Sequence, residues 1–283
     1  RPPRSTLFPY TTLFRSKGAN QAVAAARLGG KVSMIGCVGK DGHGNMLIDN
    51  LKKNNVDISR IVQVENAPTG VAVITIVDGD NYIILDSGAN AMITPQDSIE
   101  AEDMIKSSDI VVLQHEIPME TVLAAVKIAK KNGTKVLLNP APAKTLSDEL
   151  LSMVDIITPN QSECSLITGI NTDTFDGISS AIEFLISKGV KQVVVTVGGD
   201  GVIYNSGSRI IQKGVPKVKV VDTTAAGDSF SGALAVALSN GKGIDDAIDF
   251  ANIVGTITVT RKGAQSSLPT LDEVENFNID LYR

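Results

Sequence analysis

Short, continuous runs of Val, Ile and Leu alternate with helical patterns along most of this 283-residue chain. Strands of this kind are buried on both faces, and they occur in parallel sheets that helices cover on each side. The sequence therefore predicts an α/β fold with three layers, α/β/α, around a mainly parallel central sheet. The predicted strands cover residues 109–113, 134–138, 154–157 and 191–197, and the helices cover 95–106, 118–131, 145–153, 160–168 and 174–188.

The segments on either side of this region add helices and a small β-rich unit. The order at the start is a helix over 19–28, a strand over 31–38 and a helix over 41–53 with Asp41 as its N-cap. Strands then follow over 60–64, 70–77 and 82–85, with a turn at 78–81, and we expect these lid strands to belong to the same domain. The end of the chain predicts a hairpin over 202–204 and 209–213 and helices over 225–239, 244–260 and 271–277.

Residues 1–16, RPPRSTLFPYTTLFRS, differ from everything that follows. Three prolines interrupt the segment, and neither a helical nor a strand period is sustained. We interpret residues 1–16 as a foreign or non-native segment and residues 17–283 as one α/β domain. A native disordered tail is the alternative.

Composition excludes several classes of protein. The chain has 26 Lys and Arg against 31 Asp and Glu, a net charge of −5, which argues against a nucleic-acid binder that works through bulk charge. Apolar runs are too short to span a membrane. Cys37 and Cys164 lie in apolar patterns, so we expect buried, reduced thiols and a cytoplasmic protein. His43 and His115 have no zinc-site spacing, and we expect His115 to lie on the surface or in packing.

The strongest candidate for chemistry is the segment VDTTAAGDSFS at residues 221–231. Small residues at the start of a helix let a ligand approach the unpaired N–H groups of the first turn, where the helix dipole favours an anion. Asp222 and Thr223 are candidate caps of this helix. Asp228 lies in its first turn, where a carboxylate can accept a proton from an attacking hydroxyl. The alternative is that Asp228 only complements the helix dipole. No P-loop and no dinucleotide-binding glycine motif occurs.

Polar side chains at the ends of predicted strands are further candidates. Asn160 and Glu163 follow the strand over 154–157, either as a helix cap or as contacts to phosphate and to the water shell of magnesium. Residues 196–201 form a glycine-rich turn that either approaches a nucleotide or simply closes a hairpin. Asn20 is either a polyol contact or a helix cap. Asp222 and the turn-rich segment 258–267 offer oxygen ligands for a monovalent cation, although turn chemistry alone also selects them.

Seven segments occur in the order that is typical of one family. They are KGANQAVAAARLG at 17–29, TGVAVITIV at 69–77, NPAPA at 139–143, DIITPNQSE at 155–163, VTVGGDGV at 195–202, DTTAAGDSFSGAL at 222–234 and VTRKGAQSSLP at 259–269. Together they resemble the PfkB-type carbohydrate kinases, and within that family the members that act on ribose. The resemblance extends from residue 17 to about residue 277.

The resemblance implies ATP-dependent phosphorylation of D-ribose at its 5-hydroxyl, with ATP, Mg²⁺ and K⁺ bound. Asp228 would be the catalytic base, and the amides of Ala225, Ala226, Gly227 and Asp228 would form an anion hole. The sugar would contact Lys17, Gly18, Asn20, Glu116 and Asp228. The nucleotide would contact Asn160, Thr196, Val197, Gly198, Gly199, Asp200, Gly201, Gly227 and Asn252. Glu163 would act on magnesium through water, and the potassium site would use Asp222, Thr224, Thr258, Arg261, Gly263 and Ser267, mostly through carbonyls.

One departure from the family pattern limits these expectations. The family carries about forty residues before the KGAN segment, with a first central strand, part of the lid and a sugar-binding aspartate, whereas Arg15 and Ser16 stand here where two glycines belong. We therefore expect impaired turnover by this chain and an uncertain lid-mediated homodimer. The alternatives are another sugar or nucleoside kinase of the family, or a nucleotide-binding fragment without turnover.

Overall fold

The computed structural model describes residues 16–77 and 80–278, and within residues 72–85 it describes the backbone alone. Most of the segment interpreted as foreign, residues 1–15, lies outside this range, as do two residues of the turn predicted at 78–81. Ser16 belongs to the fold, because its hydroxyl accepts a hydrogen bond from Ala19 N and caps the first helix. The interpretation of residues 1–16 as a foreign or non-native segment stays a prediction.

The elements follow each other in the predicted order. The helices are α1 Lys17–Arg27, α2 Gly42–Lys53, α3 Pro95–Glu100, α4 Glu102–Lys106, α5 Met119–Asn132, α6 Asp148–Leu151, α7 Gln161–Thr168, α8 Phe175–Ser187, α9 Ala226–Ser239, α10 Ile244–Val259 and α11 Leu271–Glu275. The strands are β1 Ser33–Gly39, β2 Asp57–Val64, β3 Val71–Val77, β4 Asp80–Asp86, β5 Ile110–Leu113, β6 Lys135–Leu138, β7 Ile156–Ile157, β8 Gln192–Thr196, β9 Val202–Ser206 and β10 Arg209–Lys213.

Several boundaries differ from the sequence-based prediction. The helix expected over 95–106 is divided at Ala101, which ends α3 and precedes α4. The helix expected over 145–153 shortens to α6, because the Ser147 hydroxyl caps it at Leu150 N and so fixes its first turn. Asp41 caps α2 as predicted, accepting a hydrogen bond from Gly44 N.

The central sheet has six strands in the order β10-β9-β8-β7-β6-β5. Strands β5 to β8 are parallel, and β9 and β10 add an antiparallel edge, as the hairpin pattern predicted. Successive strand residues enter opposite layers, so that Val136 and Leu138 pack with α5 and α8 while Leu137 packs with α9 and α10. This alternation explains why the strands read as uninterrupted apolar runs, and it confirms the three-layer prediction.

A second, two-stranded parallel sheet, β1–β2, stands apart from the central sheet, and β3 and β4 form the predicted antiparallel hairpin. Strands β1 and β5 both line a cavity of about 650 Å³. Ile35 and Cys37 of β1 belong to one apolar cluster with Ile117, which follows β5. Within residues 16–77 and 80–278, each of these two strands has one partner strand and one open edge.

Both cysteines are free and buried, as predicted, and burial raises the pKa of the Cys164 thiol to about 12. Within the described ranges, no helix combines the length and apolar character that crossing a membrane would require.

Candidate active site

Helix α9 begins in an unusual way. Ala225, the residue before it, has a left-handed backbone with φ of 61°, and no side chain caps the helix. The prediction that Asp222 or Thr223 caps α9 is therefore wrong. Asp222 instead accepts hydrogen bonds from Thr224 N and Gly263 N, each at 2.9 Å. Ala226 N donates to Thr223 O at 3.2 Å, and no side chain caps the N–H groups of the rest of the first turn, which can therefore meet an anionic ligand.

A polar cavity of about 320 Å³ opens in front of this turn. The carboxyl ends of β6, β7 and β8 form one side of it, and the starts of α1 and α9 form the other, which is where α/β proteins bind ligands. The cavity is lined by Lys17, Asn139, Ala141, Thr158, Asn160, Glu163, Thr196, Thr223, Thr224, Ala225, Ala226, Gly227, Asp228 and Ser231.

Asp228 is buried at the back of this cavity, and α1 supplies both of its side-chain partners. Asn20 Nδ2 donates to Asp228 Oδ2 at 2.8 Å, and Gln21 Nε2 donates to Asp228 Oδ1 at 3.2 Å. The alternative that Asn20 caps a helix is wrong, since Ser16 is the cap of α1 and Asn20 is buried one turn further along. Asn20 was a predicted site residue, whereas Gln21 was not.

The contact between α1 and α9 depends on Gly232. A Cβ atom at this position would lie 2.8 Å from Gln21 O and 3.0 Å from Ala24 Cβ. The absence of a side chain therefore lets the two helices approach closely enough for Asn20 and Gln21 to reach Asp228.

Glu116 lies at the carboxyl end of β5 and accepts a hydrogen bond from Lys17 N at 2.6 Å. Burial raises the pKa of Glu116 to about 7, and the charge of Asp228 contributes to the shift. Gly18 follows Lys17 at a point where a Cβ atom would come within 2.9 Å of Gln114 Oε1. Four predicted sugar-contacting residues, namely Lys17, Gly18, Asn20 and Glu116, therefore lie close to Asp228 or to each other.

Asn160 and Glu163 form a complete capping box at the start of α7. Asn160 Oδ1 accepts from Glu163 N, and Glu163 Oε2 accepts from Asn160 N, both at 2.8 Å. The capping interpretation is thus confirmed, and both side chains also line the cavity. Burial raises the pKa of Glu163, and the charge of Asp228 adds to the effect.

The glycine-rich turn after β8 is only partly at the cavity. Thr196 lines the cavity and bridges to Asn160, whereas residues 197–201 close the hairpin between β8 and β9. Gly198 and Gly201 have φ of 58° and 92°. The turn requires these positive φ values, and glycine adopts them without steric strain. Asn252 is buried in α10 outside the cavity lining, and its Nδ2 has no hydrogen-bond partner.

The residues predicted for a potassium site form two linked segments, because Asp222 joins residues 222–224 to Gly263. Three of the side chains in this set form hydrogen bonds or an ion pair with other groups of the protein. Thr258 Oγ1 donates to Ser229 Oγ, Ser267 Oγ donates to Ala264 O, and the Arg261 guanidinium pairs with Glu273. In the described part of the chain, no three His, Cys, Asp or Glu side chains are grouped for a metal ion.

His115 is a packing residue rather than a surface residue. Its ring is buried, with Nδ1 3.2 Å from Pro142 O, and burial lowers its pKa to about 4.

Comparisons with known proteins agree on one family. The pfkB family of carbohydrate kinases matches residues 17–271. The chain is 43% identical to a ribokinase of Haemophilus influenzae over 270 residues, which are 95% of this chain and 88% of that protein. It is 35% identical to a deoxyribokinase of Salmonella typhi, over 92% of this chain and 86% of the other. A structure of Arabidopsis thaliana ribokinase complexed with ribose and ATP superimposes with a TM-score of 0.88 and 36% identity, covering 93% of this chain and 88% of that one.

Proposed function

Because the chain belongs to the pfkB family of carbohydrate kinases, we propose that it transfers the terminal phosphoryl group of ATP to the 5-hydroxyl of D-ribose. The similarity to ribokinases over nearly the whole chain supports this substrate, as does the likeness to a ribokinase that binds ribose and ATP. The single observation that carries the proposal is the position of Asp228, buried in the first turn of an uncapped helix at the back of a polar cavity.

The reaction follows from that position. Asp228 accepts the proton of the sugar hydroxyl while the hydroxyl oxygen forms a bond to the terminal phosphorus of ATP. The bond from that phosphorus to the bridging oxygen breaks, and ADP leaves. The N–H groups of Ala225, Gly227 and Asp228 donate to the oxygens of the group in transfer, whose charge is spread over three atoms, and that of Ala226 would join them by leaving Thr223 O. Positioning and anion stabilisation supply most of the acceleration in such a reaction.

The sugar and the nucleotide occupy the two sides of Asp228. On the sugar side are Lys17, Gly18, Asn20 and Glu116, which the hydrogen bonds to Glu116 and Asp228 hold together. On the nucleotide side are Asn160 and Thr196, which line the cavity. The nucleotide base extends past residues 197–201 toward Asn252, whose unpartnered buried amide gives it a donor for a ligand.

Magnesium and potassium ions would support the transfer without contacting the sugar. Glu163 Oε2 is already engaged with Asn160 N, which fits contact to a Mg²⁺ ion through water better than direct ligation. Asp222 organises the two segments whose carbonyl oxygens would hold K⁺. The Thr258, Arg261 and Ser267 side chains are engaged elsewhere, so these residues and Thr224 and Gly263 would contribute backbone oxygens. The buried free thiols fit a cytoplasmic enzyme, and the hairpin β3–β4 is the lid through which a homodimer would form.

The test is ADP release that depends on ribose, measured with Asp228→Asn and with Asp249→Asn as a matched control on the exposed face of α10. General base catalysis contributes about 10²- to 10⁴-fold, so Asp228→Asn should lose that much turnover while ATP affinity stays nearly unchanged. Asp249→Asn should behave like the wild type. Equal losses of ATP binding and turnover in Asp228→Asn would identify Asp228 as a structural residue.

A second candidate is phosphorylation of a related sugar, which the identity to a deoxyribokinase favours. Turnover with ribose, deoxyribose, fructose and adenosine, compared at equal concentrations, separates these activities. ATP binding without ADP release for any of the four would indicate a nucleotide-binding protein without turnover.

A further inference from the structure

We propose that Gln21 is a positioning residue that fixes the orientation of the Asp228 carboxylate, and that a chain of amide side chains holds Gln21 in place. The inference rests on the proposed role of Asp228 as the base of the kinase reaction. The chain consists of Asn139, Gln21 and Gln114, and it ends on the backbone carbonyl of Thr158.

The direction of every hydrogen bond in this chain follows from Thr158 O, which can only accept. Asn139 must turn its Nδ2 group toward that carbonyl, at 2.9 Å, and this leaves Asn139 Oδ1 facing Gln21. Gln21 must then present Nε2 to Asn139, at 3.1 Å, and Oε1 to Gln114 Nε2, at 2.6 Å. The amide of Gln21 is therefore fixed with its donor group toward Asp228.

Gln21 has no donor left for a substrate. Its two N–H groups are directed at Asn139 Oδ1 and Asp228 Oδ1, and its side chain is 2% exposed. Its influence on the sugar must therefore pass through Asp228. This distinguishes Gln21 from its neighbour Asn20, which donates to the other oxygen, Asp228 Oδ2. If Asn20 turns to a bound sugar, Gln21 still holds the carboxylate.

The consequence is a carboxylate that cannot rotate without breaking a hydrogen bond in a buried site. Loss of such a bond to a charged group lowers the stability of that orientation by a factor of about 10 to 150. If the fixed orientation is the reactive one, the loss appears in turnover and not in substrate binding.

The first experiment measures kcat and both KM values of the full chain with Gln21→Met, which keeps the length of the side chain and removes the donor. We expect kcat to fall about 10- to 100-fold while the KM values for ribose and ATP change less than about twofold. Gln192→Met is the matched control, because Gln192 donates to Asn205 at the start of β8, the end opposite to Thr196 and the cavity. A raised KM for ribose with unchanged kcat would make Gln21 a sugar contact and overturn the proposal.

The chain of amides has its own test in Gln114→Met, which removes the outer link. We expect a smaller loss of kcat, and no further loss when it is combined with Gln21→Met, because both act through one hydrogen bond. Additive losses would refute the chain.

An NMR measurement separates this proposal from the proposed function, because it does not depend on turnover. The side-chain amide protons of Gln21 should shift in Asp228→Ala and stay in place in Asp249→Ala. If they do not respond to Asp228→Ala, the positioning contact does not exist, whatever the enzyme phosphorylates. If they respond but the wild type releases no ADP with any sugar, the contact stands and the kinase function is refuted.

Discussion

Adding one methyl group at Gly232 tests whether the spacing of α1 and α9 sets the geometry of the site. In Gly232→Ala the new Cβ atom would lie 2.8 Å from Gln21 O, which is backbone and cannot turn aside. To reach ordinary contact distance, α1 must retreat by roughly half an ångström. The hydrogen bond from Gln21 to Asp228, already 3.2 Å long, then exceeds the range of a hydrogen bond.

Two opposing contributions determine how Gly232→Ala changes the free energy of unfolding. Overpacking of a tight contact costs about 1–3 kcal/mol, and replacement of glycine by alanine within a helix returns about 1 kcal/mol. The net loss is about 0–2 kcal/mol, which lowers Tm by at most about 8 °C for a domain of this size. Turnover should fall about 10-fold or more, because the lost hydrogen bond holds a charged group.

The assay combines thermal unfolding with ribose-dependent ADP release, and Gly255→Ala is the matched control. Gly255 also lies within a helix, but the nearest atom to a Cβ there is Ala226 O at 4.0 Å. Gly255→Ala should therefore raise stability by about 1 kcal/mol and leave turnover unchanged. If Gly232→Ala behaves in the same way as Gly255→Ala, the close contact of the helices has no role in the site.

Three further predictions follow from other parts of the molecule. Potassium should raise turnover severalfold over sodium, and Asp222→Asn should abolish the difference; identical rates in the two salts would remove Asp222 from a cation site. Burial raises the pKa of Glu116 from 4.5 to about 7, so the folded protein binds more protons than the unfolded chain between these values and its stability falls as pH rises through them. Glu116→Gln should flatten this decline, as measured by urea unfolding at pH 5 and pH 8, and an unchanged slope would contradict the assignment. Backbone amides of β1 and β5 should exchange hydrogen faster than those of β6 and β7; equal protection would mean that another segment pairs with the two open edges.

The sequence predicted the layers of the fold because burial on both faces of a parallel strand leaves a local signature. Val136, Leu137 and Leu138 enter opposite cores in turn, and a strand of that kind needs an apolar residue at every position. The break between α3 and α4 left no such signature, since Ala101 is itself a good helix former. Helical propensity alone could not reveal it.

The candidate site was predictable only where one segment carries the chemistry. The small residues before Asp228 indicated an anion site at a helix start, and the structure places them around one cavity. The contact of Gln21 with Asp228 could not be predicted in the same way, because it depends on how two distant helices pack. A glycine within the helical pattern at position 232 was the one hint in the sequence that another element packs closely there. Only the structure shows that this element is α1.

The hydrogen bond between Asn20 and Asp228 joins residues that are 208 positions apart in the chain. During synthesis, α1 therefore leaves the ribosome long before α9 exists, by roughly 10–40 s at typical elongation rates of about 5–20 residues per second. Throughout that interval Asn20 and Gln21 have no carboxylate to donate to, and the face of α1 that later packs on Gly232 has no partner helix. The cavity around Asp228 is therefore among the last parts of the molecule to form, and a nascent chain that stops before α9 would carry strands β1 to β10 but not Asp228.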